Sequence, residues 1–386
     1  MKVLQLCNGF AASKVHSNLY RCLDDLGIEQ TIYTTVYNTE EIGKNKFIAK
    51  NAIFVYSNIM RNWLRFFYHI KKYIIKKDIS RRVNISEYDC VHAVTLFTDG
   101  AQAYELNKKY GIPYIVTVRN TDVNLFLEKA PHTWRLGKKV LVNATKILFI
   151  SKAAESKFAE HKVIKPLLDD IKGKFFVQPN GIDPFWHNNI THIKNNPKNI
   201  LYVGDFSLNK NVSRLLEAVI KLKEEKEFND VHLNIVGGGN SKHGFGKNAN
   251  RGDEITMSII NQHPETVTYL GPIYDKSKLK DVYRQNGIFA MPSIHETFGL
   301  VYVEALSQNL PVVYTKNQGI DKMFDKSVGI AVNPLSVEDI YHAIKSIILK
   351  YDDYSNQSVN FTSFDWNIIA RNYLSLYNDI VFGRSI

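Results

Sequence analysis

Short β-rich runs alternate with amphipathic helical stretches along this chain, and the alternation starts twice. Val3–Leu6 reads as a first strand, Asn8-Gly9 as its turn, and Ser13–Leu26 as a helix closed by Gly27, where a left-handed cap residue belongs. Gln30–Val36 is a second strand. "CVHAV" (Cys90–Val94) leads into a helix stopped at Tyr110 by Gly111 and Pro113, and "YIVTV" (Tyr114–Val118) and "KILFIS" (Lys146–Ser151) read as buried strands. The rhythm pauses over "WHNNITHIKNNPKN" (Trp186–Asn199), which is polar, lacks apolar periodicity and is expected to be a linker, with His187 and His192 in solvent. It then resumes with "NILYVG" (Asn199–Gly204), a helix over Val212–Lys226, "VHLNIVGGG" (Val231–Gly239), "VTYLG", "GIFAMPS", "PVVYT" and "GIAVN". Parallel βαβ units explain this order. The expected fold is α/β, with two Rossmann-like domains in series, followed by one amphipathic helix, "FDWNIIARNYLSLYNDIV" (Phe364–Val381).

A chain of 386 residues that is 45% hydrophobic can fill two such cores. No apolar run approaches the roughly 18–20 residues that span a bilayer, and the first ten residues read as a strand and not as a signal peptide. Three widely spaced cysteines, Cys7, Cys22 and Cys90, suit free thiols in a reducing cytosol. The net charge of +11 points to phosphate-bearing partners: nucleic acid, anionic lipid or phosphorylated small molecules.

The stretch with most chemistry is "SIHETFGLVYVEALSQNLP" (Ser293–Pro311). Glu296 falls just past a strand's carboxyl end, where open α/β sheets bind ligands. Gly299 permits close backbone approach, and a helix starting near Leu300 presents free amides to an anion such as a diphosphate. Glu304, one turn inside that helix, has two acceptor oxygens suited to a vicinal diol such as that of a ribose, and Glu296 can serve sugar hydroxyls in the same way. Two solvated glutamates are the bland alternative.

This segment resembles the paired-glutamate motif of the retaining GT-B glycosyltransferases of family four (glycosyl transferases group 1). "VQPNGID" (Val177–Asp183), "LYVGDFSLNKNVSRLLEAV" (Leu201–Val219), "LNIVGGGN" (Leu233–Asn240), "VTYLG" and "FDWNIIARNYLSLY" follow in family order, and the resemblance holds over roughly residues 175–380. It implies a GT-B fold. Residues 1–185 form an acceptor-binding domain, 186–199 a linker and 200–365 a sugar-nucleotide-binding domain facing the first across a cleft. The helix 366–386 returns to the first domain. It also implies transfer of a sugar, with retention, from a UDP- or GDP-sugar to a saccharide or lipid-linked acceptor, as in surface polysaccharide or glycolipid synthesis. By position Glu296 holds the donor sugar and Lys210 neutralises the diphosphate. Glu304 holds the ribose, the backbone of Phe298, Gly299 and Leu300 meets sugar and β-phosphate, and Gly204 lies in the phosphate-binding turn. No cofactor and no metal are expected. A sugar-nucleotide epimerase on the same fold, or a catalytically silent nucleotide-sugar-binding subunit, are the alternatives.

Departures from the family pattern shape the rest. Asp205 stands where relatives carry arginine, so it must point away or a further cation must fill the gap, with Lys14 and Arg119 as candidates. The usual catalytic histidine is not identifiable: Val94 and Arg119 stand at its usual places. Arg119, Asn120 and Asp122 are expected to line the reaction cleft, Gly9 to approach the diphosphate, Lys14 and His16 to sit beside that glycine loop, and His92 to be a satisfied core histidine.

Asn58–Lys77, "NIMRNWLRFFYHIKKYIIKK", reads as one basic amphipathic helix, its stripe Ile59, Trp63, Phe67, Ile70 and Ile74 flanked by Arg61, Arg65, Lys71, Lys72 and Lys76. Such helices lie on anionic membrane surfaces or pack on their own sheet. The former predicts a cytoplasmic protein peripheral to the inner membrane face. No nucleic-acid module is present.

Overall fold

The computed structural model describes residues 1–238 and 249–383. Gly239 and Asn240 of the "LNIVGGGN" run, and residues 384–386 of the expected final helix, lie outside the described residues. The chain divides into two compact units. The first comprises Met1–Ile150, Ala154–Gly181 and Thr362–Ile386, and the second Ser151–Ala153 and Ile182–Phe361.

The first unit is built on a seven-stranded sheet, all pairs parallel, in the order β3-β2-β1-β4-β5-β6-β7. Its strands are β1 Lys2–Leu6, β2 Glu29–Thr35, β3 Ala52–Ser57, β4 Cys90–Ala93, β5 Tyr114–Thr117, β6 Lys146–Phe149 and β7 Phe175–Val177. Helices cover both faces, so the inner strands read as near-continuous apolar runs, which is why β1, β4 and β5 were legible. One core holds Leu4, Val91, Val116 and Phe149 with Ile75 and Ile79 of the helix Tyr68–Arg82. The other holds Val3, Ile32 and Ile115 with Trp366, Ile369, Tyr373 and Tyr377 of the helix Trp366–Phe382. The final helix thus belongs to the first unit, lying against the helix Lys14–Asp25. Ser13 caps that earlier helix by accepting the Val15 amide at 3.3 Å. The three cysteines are free and buried.

Asn58–Lys77 is not one helix. A 3₁₀ turn, Asn62–Arg65, precedes the helix Tyr68–Arg82, and Phe67 at the junction is non-helical with φ −120° and ψ 72°. Ile75 and Ile79 enter the core, and of the expected stripe Ile59 and Ile74 pack partly against it while Trp63, Phe67 and Ile70 stay exposed.

The second unit carries a six-stranded parallel sheet in the order β10-β9-β8-β11-β12-β13. Its strands are β8 Asn199–Gly204, β9 His232–Gly237, β10 Val267–Gly271, β11 Ile288–Ala290, β12 Val312–Thr315 and β13 Gly329–Val332. The stretch 186–199, read as linker, is part of this unit, and the chain enters it at Ile182. Trp186 is buried against the Tyr283 ring, His192 Nδ1 lies 2.6 Å from Asn356 Oδ1, and Arg284 donates to the Asn189 carbonyl at 2.8 Å. Polar composition looked like solvated linker because those side chains satisfy loop backbone, which leaves no periodicity to read. Among the described residues no helix is long and apolar enough to cross a membrane.

Candidate active site

In the second sheet the strand order reverses between β8 and β11, and a parallel sheet opens a crevice outside the carboxyl ends of such a pair. The turns leaving these two strands are stitched together. Ile294 N donates to the Asn209 carbonyl at 2.7 Å, and His295 N to Asn209 Oδ1 at 3.0 Å, while Asn209 Nδ2 donates to the His295 carbonyl at 2.9 Å. Asn211, buried with a left-handed φ of 59°, donates from Nδ2 to the carbonyls of Pro292 at 2.9 Å and Pro334 at 2.6 Å. Between these two asparagines stands Lys210, and the stitching brings its Nζ to 2.8 Å from Glu296 Oε2. The Asp205 carboxylate closes its own turn by accepting the Ser207 amide at 2.8 Å. Its backbone carbonyl accepts the Tyr202 hydroxyl at 2.6 Å.

Glu296 is held from several sides. Oε1 accepts the Thr297 amide at 2.9 Å, and the Glu296 amide donates to Gln318 Oε1 at 2.9 Å. Gln318 Nε2 in turn donates to the Ile294 carbonyl at 2.8 Å. Gly299 has φ +79°, and a Cβ there would stand 2.4 Å from the Tyr302 ring and 3.2 Å from Glu296 Cγ. Gly319, φ +55°, would put a Cβ 2.9 Å from the Phe298 carbonyl and 3.1 Å from Glu296 Cγ. Two left-handed glycines therefore pack around one carboxylate. Phe298 is buried, Gly299 caps the helix Leu300–Ser307 with no side chain over its first amides, and Leu300 is partly exposed. Gly204 owes its lack of a side chain to packing: a Cβ would meet the Tyr202 hydroxyl at 2.7 Å, and its carbonyl accepts the Gly238 amide.

Glu304 sits one turn into the same helix, partly buried. Burial, and then the nearby Asp183 carboxylate, push its carboxyl up to about 7, against the opposing pull of Lys276 and the polar edges of Trp186 and Tyr283. Asp183 is itself ion-paired with Lys276.

The first unit has its own strand reversal, between β1 and β4. Gly9 follows β1 with an ordinary φ of −96°, and the atom nearest a Cβ placed there is His16 Nε2 at 3.8 Å, so neither backbone nor packing demands glycine. Arg119 follows β5, and its Nε donates to the Val94 carbonyl at 3.3 Å. Asn120 is partly exposed beside it. Asp122 does not line a reaction site as expected. It is 1% exposed, and its carboxylate accepts the amides of Arg119, Leu96 and Phe97 at 2.9, 3.0 and 3.1 Å. Burial raises it to about 6, opposed by those amides and by Arg119. Its work is to hold the loops after β4 and β5 together, and with them the base of Arg119.

His92 is the satisfied core histidine expected. Nδ1 lies 2.8 Å from the Tyr377 hydroxyl and Nε2 3.1 Å from Thr117 Oγ1, and burial, aided by Arg119, takes it down to about 3. His16 is held well below the usual histidine range by burial, then Arg119 and His92, while Lys14 is exposed. The sequence reading missed Asp99, which is buried after β4. Asp99 Oδ2 accepts Thr95 Oγ1 at 3.0 Å, and burial pushes it up to about 7. It also missed Asn209, Asn211, Gln318 and Gly319. The last pair carried a signal, since "KNQG" (Lys316–Gly319) directly follows the strand "PVVYT" at the sheet edge that holds Glu296.

Residues 187–361 match the family Glycosyl transferases group 1, and residues 12–185 match Glycosyltransferase Family 4. The chain belongs to glycosyltransferase family 4. Among curated relatives of this glycosyltransferase, an uncharacterized glycosyltransferase of Methanocaldococcus jannaschii is 20% identical over 318 residues, 76% of each chain. The plant sucrose-phosphate synthases of Craterostigma plantagineum and Arabidopsis thaliana, 26–27% identical, are matched over only 19–21% of their length. Among solved structures, the sucrose-phosphate synthase of Thermosynechococcus elongatus superposes with a TM-score of 0.72 at 17% identity, covering 99% of both chains. Anabaena HepE, crystallised in complex with UDP and glucose, superposes with a TM-score of 0.66 at 15% identity, covering 98% of this chain and 100% of that one. These glycosyltransferases share the GT-B fold with the present chain, whose two parallel sheets are its two Rossmann-like halves.

Proposed function

We propose that this glycosyltransferase moves a sugar, with retention of anomeric configuration, from a nucleotide-diphospho-sugar held by the second unit to a saccharide or lipid-linked acceptor. The observation that carries the reading is the Lys210–Glu296 pair at 2.8 Å, tied to the carboxyl ends of β8 and β11, with Glu304 on the helix that follows. Uridine is the base we assign, because the structurally similar Anabaena protein carries UDP with glucose.

In this reading the ion pair is a resting arrangement. The incoming diphosphate takes the Lys210 ammonium, and Glu296, already fixed by the Thr297 amide, turns its second oxygen to the sugar hydroxyls. A preorganised cation beside the leaving phosphate is stronger than the same charge in water, because little has to reorganise as charge develops. The amides at the start of the helix Leu300–Ser307 add a partial positive charge of roughly +0.5 on the same side. Glu304 accepts the ribose diol. Arg119, anchored through Val94 and Asp122, serves the acceptor side on the first unit. The scheme needs no metal.

The test is turnover of a panel of UDP- and GDP-sugars, by hydrolysis and by transfer to simple saccharides, with and without EDTA. Lys210→Ala and Glu296→Ala should each lose about 100-fold or more in kcat, in line with removing a preorganised charge from such a site, with melting temperature near that of wild type. Product anomers are read by NMR. Nucleotide binding with no turnover of any donor would refute the enzyme reading, inversion would refute retention, and abolition by EDTA with rescue by Mg²⁺ would refute the metal-free scheme.

A further inference from the structure

Residues 58–77 contain six lysines and arginines and no aspartate or glutamate. The fold sorts their apolar side chains into two sets. Leu64 and Ile75 enter the first unit's core at 2% and 3% exposure. Trp63, Phe66, Phe67, Ile70 and Tyr73 stay outside at 50%, 84%, 52%, 46% and 62%. Trp63 lies in the 3₁₀ turn, Phe66 and Phe67 at the break that follows it, and Ile70 and Tyr73 three residues apart in the first turns of the helix, so the outer set brackets a knuckle between turn and helix. The Trp63 and Phe67 rings meet edge-on at 5.9 Å between centroids. Five large apolar side chains left exposed within eleven residues are more than a protein with only aqueous contacts usually leaves open.

Beside this knuckle lies a pocket of about 390 Å³ whose lining includes Tyr37, Asn38, Glu41, Met60, Arg61 and Arg65. Arg61 Nη1 is fixed by the Met60 carbonyl at 2.7 Å, and the Arg65 guanidinium stacks 5.2 Å from the Tyr37 ring centre. The lining also holds one acid, Glu41, whose carboxylate accepts the Tyr37 amide at 2.8 Å. Two guanidinium groups with restricted geometry suit phosphate oxygens. The lysines expected in this role are placed otherwise. Lys72 and Lys76 pair with Glu105 at 3.0 and 2.7 Å, and Lys71 lies close enough to Asp99 to act on its charge.

We infer that the knuckle 61–73 docks this protein on an anionic membrane surface, the aromatic side chains entering the boundary between headgroups and acyl chains while Arg61 and Arg65 hold lipid phosphate. A second copy of the chain is a poor occupant, because two such surfaces, both cationic and without carboxylates in the segment, repel. The inference stands apart from the sugar-transfer reading and survives if that reading fails.

The full chain is floated with vesicles of phosphatidylcholine alone or with 30% phosphatidylglycerol, at low and at 0.5 M salt, concentrations chosen at roughly the scale on which screening removes surface attraction. Binding should be at least about tenfold stronger to the anionic vesicles and should fall at high salt. Arg61→Gln with Arg65→Gln should weaken it by roughly 30-fold, and Phe66→Ser with Phe67→Ser by about tenfold or more. Brominated acyl chains should quench a fluorescence component that Trp63→Phe removes. Melting temperatures of the variants, expected unchanged for these exposed sites, show that folding is intact. Equal binding to both vesicle types, wild-type binding by both double variants, or a solution dimer that Phe66→Ser with Phe67→Ser dissociates while vesicles are ignored would each overturn the inference.

Discussion

Replacing Glu304 by glutamine isolates a single proton. Burial and Asp183 lift this carboxyl from its ordinary value of 4.5 to about 7. A raised acid binds its proton more tightly folded than unfolded, so its stabilising contribution is complete below about 4.5 and is lost as pH rises through about 7. The shift of 7 − 4.5 corresponds to about 3 kcal/mol at 1.36 kcal/mol per unit, and solvent at this partly exposed group lowers that ceiling. Glutamine keeps the shape of the neutral acid at every pH. Wild type and Glu304→Gln should therefore melt alike at pH 5, and the variant should be the more stable at pH 8. For a unit of this size about 2–4 °C accompanies each kcal/mol, so the gap should open by roughly 6–12 °C at most. Differential scanning calorimetry of the two proteins at half-unit steps measures it. Other buried acids, Asp99 and Asp122 among them, titrate in both proteins and cancel in the difference. Parallel curves from pH 5 to 8 would refute the placement of this charge. The same variant tests the ribose role: UDP affinity should rise with pH in wild type as the acceptor ionises, and stay flat in Glu304→Gln.

Asp122→Asn replaces an acceptor of three amides by a group that turns an NH₂ toward at least one of them. A cost of roughly 2–4 kcal/mol in denaturant unfolding is expected, and a loss under about 0.5 kcal/mol would show that the carboxylate is not what joins these loops. Gly299→Ala combines a left-handed backbone with a Cβ 2.4 Å from the Tyr302 ring, so it should destabilise by at least about 1–2 kcal/mol. It should also disturb donor turnover by moving Glu296, whereas unchanged turnover and stability would count against the tight cradle described.

Most of the sheet was legible because parallel strands covered on both faces become short apolar runs, as in "YIVTV" and "PVVYT". Strand β3, "AIFVYS", escaped notice at a sheet edge where only Ser57 is fully shielded. The paired glutamates were legible because a strand, a glycine and a helix start fall in one short segment. Asn209, Asn211 and Gln318 were not, since their hydrogen bonds join loops far apart in sequence. Asp122 was misjudged for a related reason: a carboxylate after a strand looks the same in sequence whether it faces a substrate or three backbone amides. The basic segment 58–77 yielded its charge and its aromatics, but not the break at Phe67 that decides which of them face water.

The helix Trp366–Phe382 closes a core begun by Val3, Ile32 and Ile115, and its Tyr377 hydroxyl meets both Gln5 and His92. On the ribosome this core must wait. With residues 182–361 emerging in between, at about 5–20 residues per second, some 10–40 s pass before the missing piece arrives. The second half, continuous apart from three residues, is free to finish first, so the part of the polypeptide made earliest is the one that settles last.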